Sequence, residues 1–195
     1  MDQNLSQAVL DRGLEEQNTA TEEKKRKKIR HRSPMNSIHL FLIHAFAIVV
    51  ILWLMFGFIC GLATAPNNDM SPQIKTSDLL LYYRLENDFK AQDVVVLMKN
   101  DTRYIGRIVA APGDTVEVTE KETLVINGNT VTENNIYTPT PEYEGFVKYP
   151  VTLGSDQYFI LSDYRNGGED SRYYGVVEKK EIIGTVITVI RRNDI

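Results

Sequence analysis

One continuous apolar stretch separates two very different patterns along this chain. Ala45 to Ala65, AFAIVVILWLMFGFICGLATA, runs for 21 residues without a charge. Roughly 20 apolar residues cross a hydrocarbon layer about 30 Å thick as a helix. The stretch has no polar face, which a helix lying on a soluble core would show. The pattern predicts a transmembrane helix over residues 38–65. After it, short runs rich in β-branched and aromatic residues take over: DLLLYYRL (78–85), DVVVLM (93–98), YIGRIVAA (104–111), TVEVTE (115–120), QYFILSD (157–163), YGVV (174–177) and IIGTVITVI (182–190). Turn-prone pieces KNDT and PGD lie between them. TLVINGNTVTEN reads as a hairpin turning at Asn127-Gly128. No stretch after residue 66 keeps a helical period over three turns. The expected fold class is mostly β, an antiparallel β-sheet domain over residues 66–195 on one N-terminal membrane helix. Residues 135–156, with Pro139, Pro141, Pro150 and several tyrosines, read as a long loop or inserted extension.

Charge adds an orientation. Residues 1–37 read as a polar, unstructured tail. Seven basic residues between Lys24 and Arg32 stand just before the apolar run, which predicts a cytoplasmic N-terminus and an extracellular domain from residue 66 onward. The competing reading is a secretory signal cleaved after ATA. The apolar run is long for that, and Pro66 would follow the scissile bond. Residues 66–195 carry 14 Lys and Arg against 20 Asp and Glu, an acidic balance that argues against nucleic acid as a partner. Cys60, the single cysteine, permits no internal disulfide and no cysteine-built metal cluster. His31, His39 and His44 all precede or enter the apolar run. That removes a Ser-His-Asp triad and a histidine-built zinc site from the outer domain. No cofactor and no metal are expected.

Three short stretches carry a family resemblance: DMSP (69–72), GRIVAAPGD (106–114) and SDYRNGGEDSRYYG (162–175). In order and rough spacing they resemble the type I signal peptidases, whose pattern is S-M-x-P, then K-R-V-x-x-x-P-G-D, then G-D-N-x-x-x-S-x-D-S-R-x-x-G. The resemblance covers residues from about 38 to 190 and implies a signal-peptidase-like antiparallel β fold. Met70, Pro72, Arg107, Pro112, Gly113, Asp114, Asp163, Asp170, Ser171, Arg172 and Gly175 match. The departures fall on the chemistry. Asp69 stands where the family has its nucleophilic serine, and Gly106 where it has its general-base lysine. Ser162, Tyr164 and Gly168 replace glycine, asparagine and serine in the last box.

A serine hydroxyl attacks only once a neighbouring base takes its proton. In the family, a desolvated lysine does so. Gly106 has no side chain to accept a proton, and Asp69 has no hydroxyl to acylate. The sequence therefore predicts a pseudo-peptidase with no catalytic residue. Two rescues stay open: Ser71 as a displaced nucleophile, or Asp69 sharing a proton with Asp163 or Asp170. Asp163, Asp170, Ser171 and Arg172 read as structural support of the former site. Asp69, Met70, Ser71, Pro72, Gly106 and Arg107 read as its binding cleft, with room in the floor where the lysine is missing.

Signal peptidases hold an extended peptide by strand pairing, a mode that does not need the dyad. Among degenerate members, the chain resembles signal-peptidase-like proteins of streptococcal pilus gene clusters. That resemblance implies an accessory or chaperone role in covalent pilus polymerisation, with pilin precursor and/or sortase as partners. The alternatives are an active or cryptic peptidase that processes pilin precursors, a regulatory partner of an active signal peptidase, and a vestigial groove with the working surface elsewhere.

Overall fold

A computed structural model describes residues 17, 19–23, 34–134, 136, 138–143 and 146–191. The basic run 24–32 and most of the tail lie outside these residues. The chain divides into two compact units, residues 1–52 and 53–195.

Helix α1 spans Pro34–Leu54, and a π-helical turn continues it over Met55–Ile59. The segment Ser37–Ile59, 23 residues, is long and apolar enough to cross a membrane. The helix was expected to run to Ala65. Instead Cys60–Thr64 form strand β1, paired antiparallel with Leu79–Tyr83 (β2) from Cys60↔Tyr83 to Thr64↔Leu79. Uninterrupted apolarity cannot mark this switch, because CGLAT satisfies either element. Gly61 is one reason the strand fits here. A side chain on it would overlap the Tyr82 ring, which fills that place.

The main sheet has seven antiparallel strands in the order β1-β2-β11-β3-β4-β9-β10. Beyond β1 and β2 it contains Val94–Lys99 (β3), Thr102–Ala110 (β4), Gln157–Leu161 (β9), Val177–Glu178 (β10) and Ile182–Ile190 (β11). A second sheet, in the order β7-β6-β5-β8, is built from Thr115–Val118 (β5), Leu124–Ile126 (β6), Asn129–Thr130 (β7) and Val151–Thr152 (β8). The hairpin turns at Asn127 and Gly128, with φ of 52° and 77°, the left-handed pair that a tight turn between twisted strands requires.

One further expectation needs correcting. Residues 174–177 were read as a strand, yet Ser171–Tyr174 form one helical turn (α2) and only Val177–Glu178 pair with β9. Asp170 turns the chain there, accepting from Arg172 N at 3.0 Å as the cap of α2. The 135–156 region reads as a long loop or inserted extension, and its described residues are loop except that Val151 and Thr152 join the second sheet beside β5.

Alternation decides which side chains are buried. Leu80 and Tyr82 point inward while Leu79, Leu81 and Tyr83 are half-exposed. One cluster gathers Ala63, Met70, Ile74, Leu80, Tyr82, Val96 and Ile105. Another gathers Phe89, Val95, Leu97, Ile108, Tyr158, Ile160, Val177 and Ile182. They lie on opposite faces of β4, since Ile105 belongs to the first and Ile108 to the second.

Candidate functional site

The site forms where the loop between β1 and β2 meets the segment between β9 and α2. The loop is closed at its base by Ala65 N to Asp78 O and Ser77 N to Ala65 O, both 2.9 Å. Met70 anchors it in the core at 2 % exposure, beside Ile74. That anchor sets the directions of the residues on either side. Asp69 is half-buried and faces the last box: its carbonyl accepts from Tyr164 N at 2.8 Å, and its Oδ2 from Glu169 N at 3.4 Å. Ser71 lines a separate hollow of about 320 Å³ with Asn68, Lys75 and Tyr164. A roomier hollow of about 690 Å³ lies on the second sheet around Glu117, Lys121 and Tyr149, and contains none of the motif residues.

Asp69 is engaged within its own loop. Asn67 Nδ2 donates to Asp69 Oδ2 at 2.7 Å, and Asp69 N donates to Asn67 Oδ1 at 3.2 Å. The backbone N–H of a serine nucleophile ordinarily helps bind the oxyanion; here that N–H already has an acceptor. Burial pushes the Asp69 carboxyl above its ordinary range. The Glu169 N–H and the Asn67 amide oppose that shift, and the charges of Glu169 and Asp170 add to it.

Gly106 does not open a recess. It is buried in β4, opposite Val95 of β3. A Cβ built on it would lie 2.5 Å from Ile160 Cγ2 and 3.3 Å from the Leu161 carbonyl. The room expected in the cleft floor is therefore filled by an isoleucine methyl from the neighbouring strand. Met70 and Arg107 were also placed in the cleft and are buried instead. Side chains alternate along β4, so Arg107 points to the face opposite Gly106. There it makes a two-pronged contact with Asp163, Nε to Oδ1 at 2.8 Å and Nη2 to Oδ2 at 2.7 Å, and donates to Gln92 O at 3.0 Å. Of the six cleft residues, Asp69, Ser71 and Pro72 retain exposed surface.

Asp170 and Arg172 form the second buried pair. Arg172 reaches both carboxylate oxygens, at 2.9 and 2.8 Å, donates to Pro141 O at 3.0 Å, and lies 4.3 Å from the centre of the Tyr143 ring. Ser171 Oγ accepts from Ile160 N at 3.0 Å, tying α2 to β9. Asp163 and Asp170 are thus each held two-handed by a guanidinium. A shared-proton carboxylate pair with Asp69 would have to give up one of these contacts.

Two of the three mismatches in the last box explain one another. Ser162 Oγ donates to Asp170 Oδ2 at 2.7 Å, and Ser162 N donates to the same oxygen at 3.0 Å. A side chain added at Gly168 would overlap Ser162 Oγ and Cβ. The family places glycine at the first position and serine at the second; this chain has the exchange, with the hydroxyl supplied from the other side of the same turn. Tyr164 is exposed and borders the Ser71 hollow.

Several participants went unnoticed in the sequence. Arg165, fully buried, holds Glu133 with Nη2 at 2.9 and 2.7 Å, Thr140 Oγ1 with Nη1 at 2.9 Å and Ser162 O with Nε at 2.7 Å. Tyr143 Oη donates to Gly168 O at 3.1 Å. Together with Arg172 they clamp Glu133, Thr140, Pro141 and Tyr143 over the last box. The tyrosine- and proline-rich composition of this region hinted at a role, but nothing marked Glu133. Tyr104 Oη donates to Glu169 Oε2 at 3.3 Å and its ring lies 4.8 Å from that of Tyr174. Burial pushes both phenols above the ordinary tyrosine range.

The β4 strand leaves part of one edge unpaired beside this cluster. Ile108 N donates to Asp93 O and Ile108 O accepts from Gln92 N, so the even-numbered residues turn their main-chain groups toward β3. The odd-numbered ones turn the other way, where β9 accompanies β4 only from Arg107 to Ala110. Arg103 and Ile105 therefore present N–H and C=O groups that no main-chain group among the described residues meets.

Residues 37–190 match the family model described as signal peptidase, peptidase S26. Similar proteins include a probable signal peptidase I-2 of Synechocystis, 34 % identical over 131 residues, with 61 % of this chain and 57 % of that protein covered. Signal peptidase I of Bacillus amyloliquefaciens is 35 % identical over 111 residues, covering 51 % and 57 %. An inactive signal peptidase IA of Staphylococcus aureus is 24 % identical over 151 residues, covering 72 % and 83 %. A crystal structure of an Enterococcus faecalis signal peptidase I matches with a TM-score of 0.42 and 26 % identity, over 52 % of this chain and 98 % of that one. The chain spans 57 to 64 % of the length of the first relatives that it matches.

Proposed function

The chain belongs to the peptidase S26 family of signal peptidases, and we propose that it is a catalytically silent member that binds an extended segment of another exported protein. The unpaired edge at Arg103 and Ile105 carries this reading, because it lies beside the former site and offers main-chain groups to an added strand. Asp69 and Gly106 supply neither nucleophile nor base. That a relative is named an inactive signal peptidase supports silence as a state compatible with this family.

The setting we propose is the assembly of covalent pili at a Gram-positive cell surface, with a pilin precursor and/or a sortase as the bound protein. It rests on the resemblance to degenerate members of pilus gene clusters. In this reading the segment Ser37–Ile59 anchors the protein by a single pass, with the N-terminus in the cytoplasm and the β domain outside. A reporter fused after residue 66 is then expected to read as external, and one fused before residue 34 as cytoplasmic. The reverse pattern, or a mature chain beginning at Pro66, would exclude this topology.

Strand addition itself is tested by Arg103→Pro. The Arg103 N–H faces the open edge and takes no part in the β3–β4 ladder, so proline removes one docking donor and leaves the sheet's own bonds in place. Arg103 is exposed, so little packing is lost. The expected result is a domain with near-normal unfolding temperature and a severalfold fall in binding to the captured segment. Undiminished binding by the folded variant would move the working surface away from this edge, and the exposed pair Phe146 and Tyr173, rings 4.7 Å apart, would be the next place to probe.

A further inference from the structure

We infer that the segment captured on β4 carries a lysine or arginine opposite Tyr104, its charge met by Asp69 and Glu169. This rests on the strand-addition reading above and names the chemistry of the partner. Three carboxylates around the site whose side chains are nearly sealed from water each have a cation: Asp163 has Arg107, Asp170 has Arg172 and Glu133 has Arg165. Asp69 and Glu169 have none among the described residues. Their contacts are with neutral donors only: Asn67 Nδ2 and Glu169 N to Asp69, and Tyr104 Oη to Glu169.

Position adds to charge. Tyr104 stands on the unpaired part of β4, and its hydroxyl places Glu169 within one side chain's reach of the open edge. Glu169 N in turn reaches Asp69. On a strand added there, the residue opposite Tyr104 projects from the same face of the sheet. The Tyr104 and Tyr174 rings, 4.8 Å apart, offer an aromatic surface for the aliphatic stem of a basic side chain, with the two carboxylates for its head. The cations nearest in sequence do not occupy this place. Arg103 projects from the opposite face of β4 by alternation, and Lys75 lines the Ser71 hollow. The Gly106 floor is closed by Ile160, so the cation is received at the rim and not in the lysine's former channel.

The test uses the full chain in detergent micelles and short acetylated threonine-valine peptides whose central residue is lysine, norleucine or glutamate. Fluorescence anisotropy at low salt is expected to show the lysine peptide binding about tenfold tighter than the norleucine peptide, with the glutamate peptide weakest. That preference should shrink at high salt and vanish in Asp69→Asn with Glu169→Gln. Equal binding of all three peptides, lost together in Arg103→Pro, would overturn the charge inference and leave strand addition standing. A lysine preference that persists in the doubly neutralised variant would overturn the assignment to Asp69 and Glu169. Absence of binding by any peptide, or binding unchanged in Arg103→Pro, would remove strand addition and this inference with it.

Discussion

Asp69→Ser combined with Gly106→Lys is expected to yield no measurable precursor cleavage and a domain less stable by about 1–3 kcal/mol. The expectation joins chemistry to packing. Loss of one member of a serine protease's catalytic unit costs on the order of 10⁶ in kcat, so the unmodified chain, without a nucleophile or base at the family positions, should be silent. Restoring both side chains would normally be the way back. Here the lysine Cβ would arrive 2.5 Å from Ile160 Cγ2, in a cluster where Ile160 and Val95 are fully buried. The strand must shift or the isoleucine must leave its rotamer. The N–H of residue 69 also remains engaged by Asn67 Oδ1. Adding Ile160→Leu, which moves the offending methyl off the β-carbon at nearly constant volume, should recover most of the lost stability. Chemical denaturation and a precursor-cleavage assay on the same samples separate the two effects. Hydrolysis by the unmodified protein that disappears in Ser71→Ala or Asp69→Ala would refute the silent reading. A double variant as stable as the parent would refute the packing argument.

Arg172→Ala should destabilise the domain by about 3–5 kcal/mol, the cost of leaving a buried charge without its partner. Both side chains of the pair are nearly sealed from water, at 0 % and 2 % exposure. The arginine also carries Pro141 O and the Tyr143 ring, so its removal loosens Pro141 and Tyr143 from the last box. Arg172→Lys should restore only part of the loss, because an ammonium cannot reproduce the two-pronged grip. A change below about 1 kcal/mol would place this pair with exposed ion pairs and remove it from the supports of the site.

The proposed silence is compatible with a well-bonded scaffold. Around the two motif positions, Arg107 is paired with Asp163 and Arg172 with Asp170, while Ser162 bonds Asp170 and Ser171 accepts from Ile160 N, and none of these contacts needs a side chain at 69 or 106. The departures from the family pattern fall at Asp69, Gly106, Ser162, Tyr164 and Gly168, and Ile160 fills the space beside Gly106.

The primary sequence alone determined the membrane-length helix, the mostly antiparallel β domain and the strand runs, because these depend on local periodicity. β2, β3, β4, β9 and β11 fall within or close to the segments read from alternation, and Asn127-Gly128 turns the hairpin as its φ angles demand. It also showed that serine and lysine are missing from the positions where the motifs place them. Tertiary structure decided what local pattern leaves open. CGLAT is apolar enough for helix or strand, and only pairing with β2 makes it β1. Gly106 reads as empty space in one dimension, yet an adjacent strand brings Ile160 into it. Ser162 and Gly168 look like two unrelated departures until the turn between them brings the hydroxyl into the place a serine at 168 would need. Glu133 and Arg165 lie 32 positions apart and become a buried pair only once Glu133 and Thr140 are brought over the last box. The unpaired edge of β4 is set by where β9 ends. Except for Ser162 and Gly168, which one turn brings together, the deciding contact joins residues distant in the chain, and local periodicity does not record it.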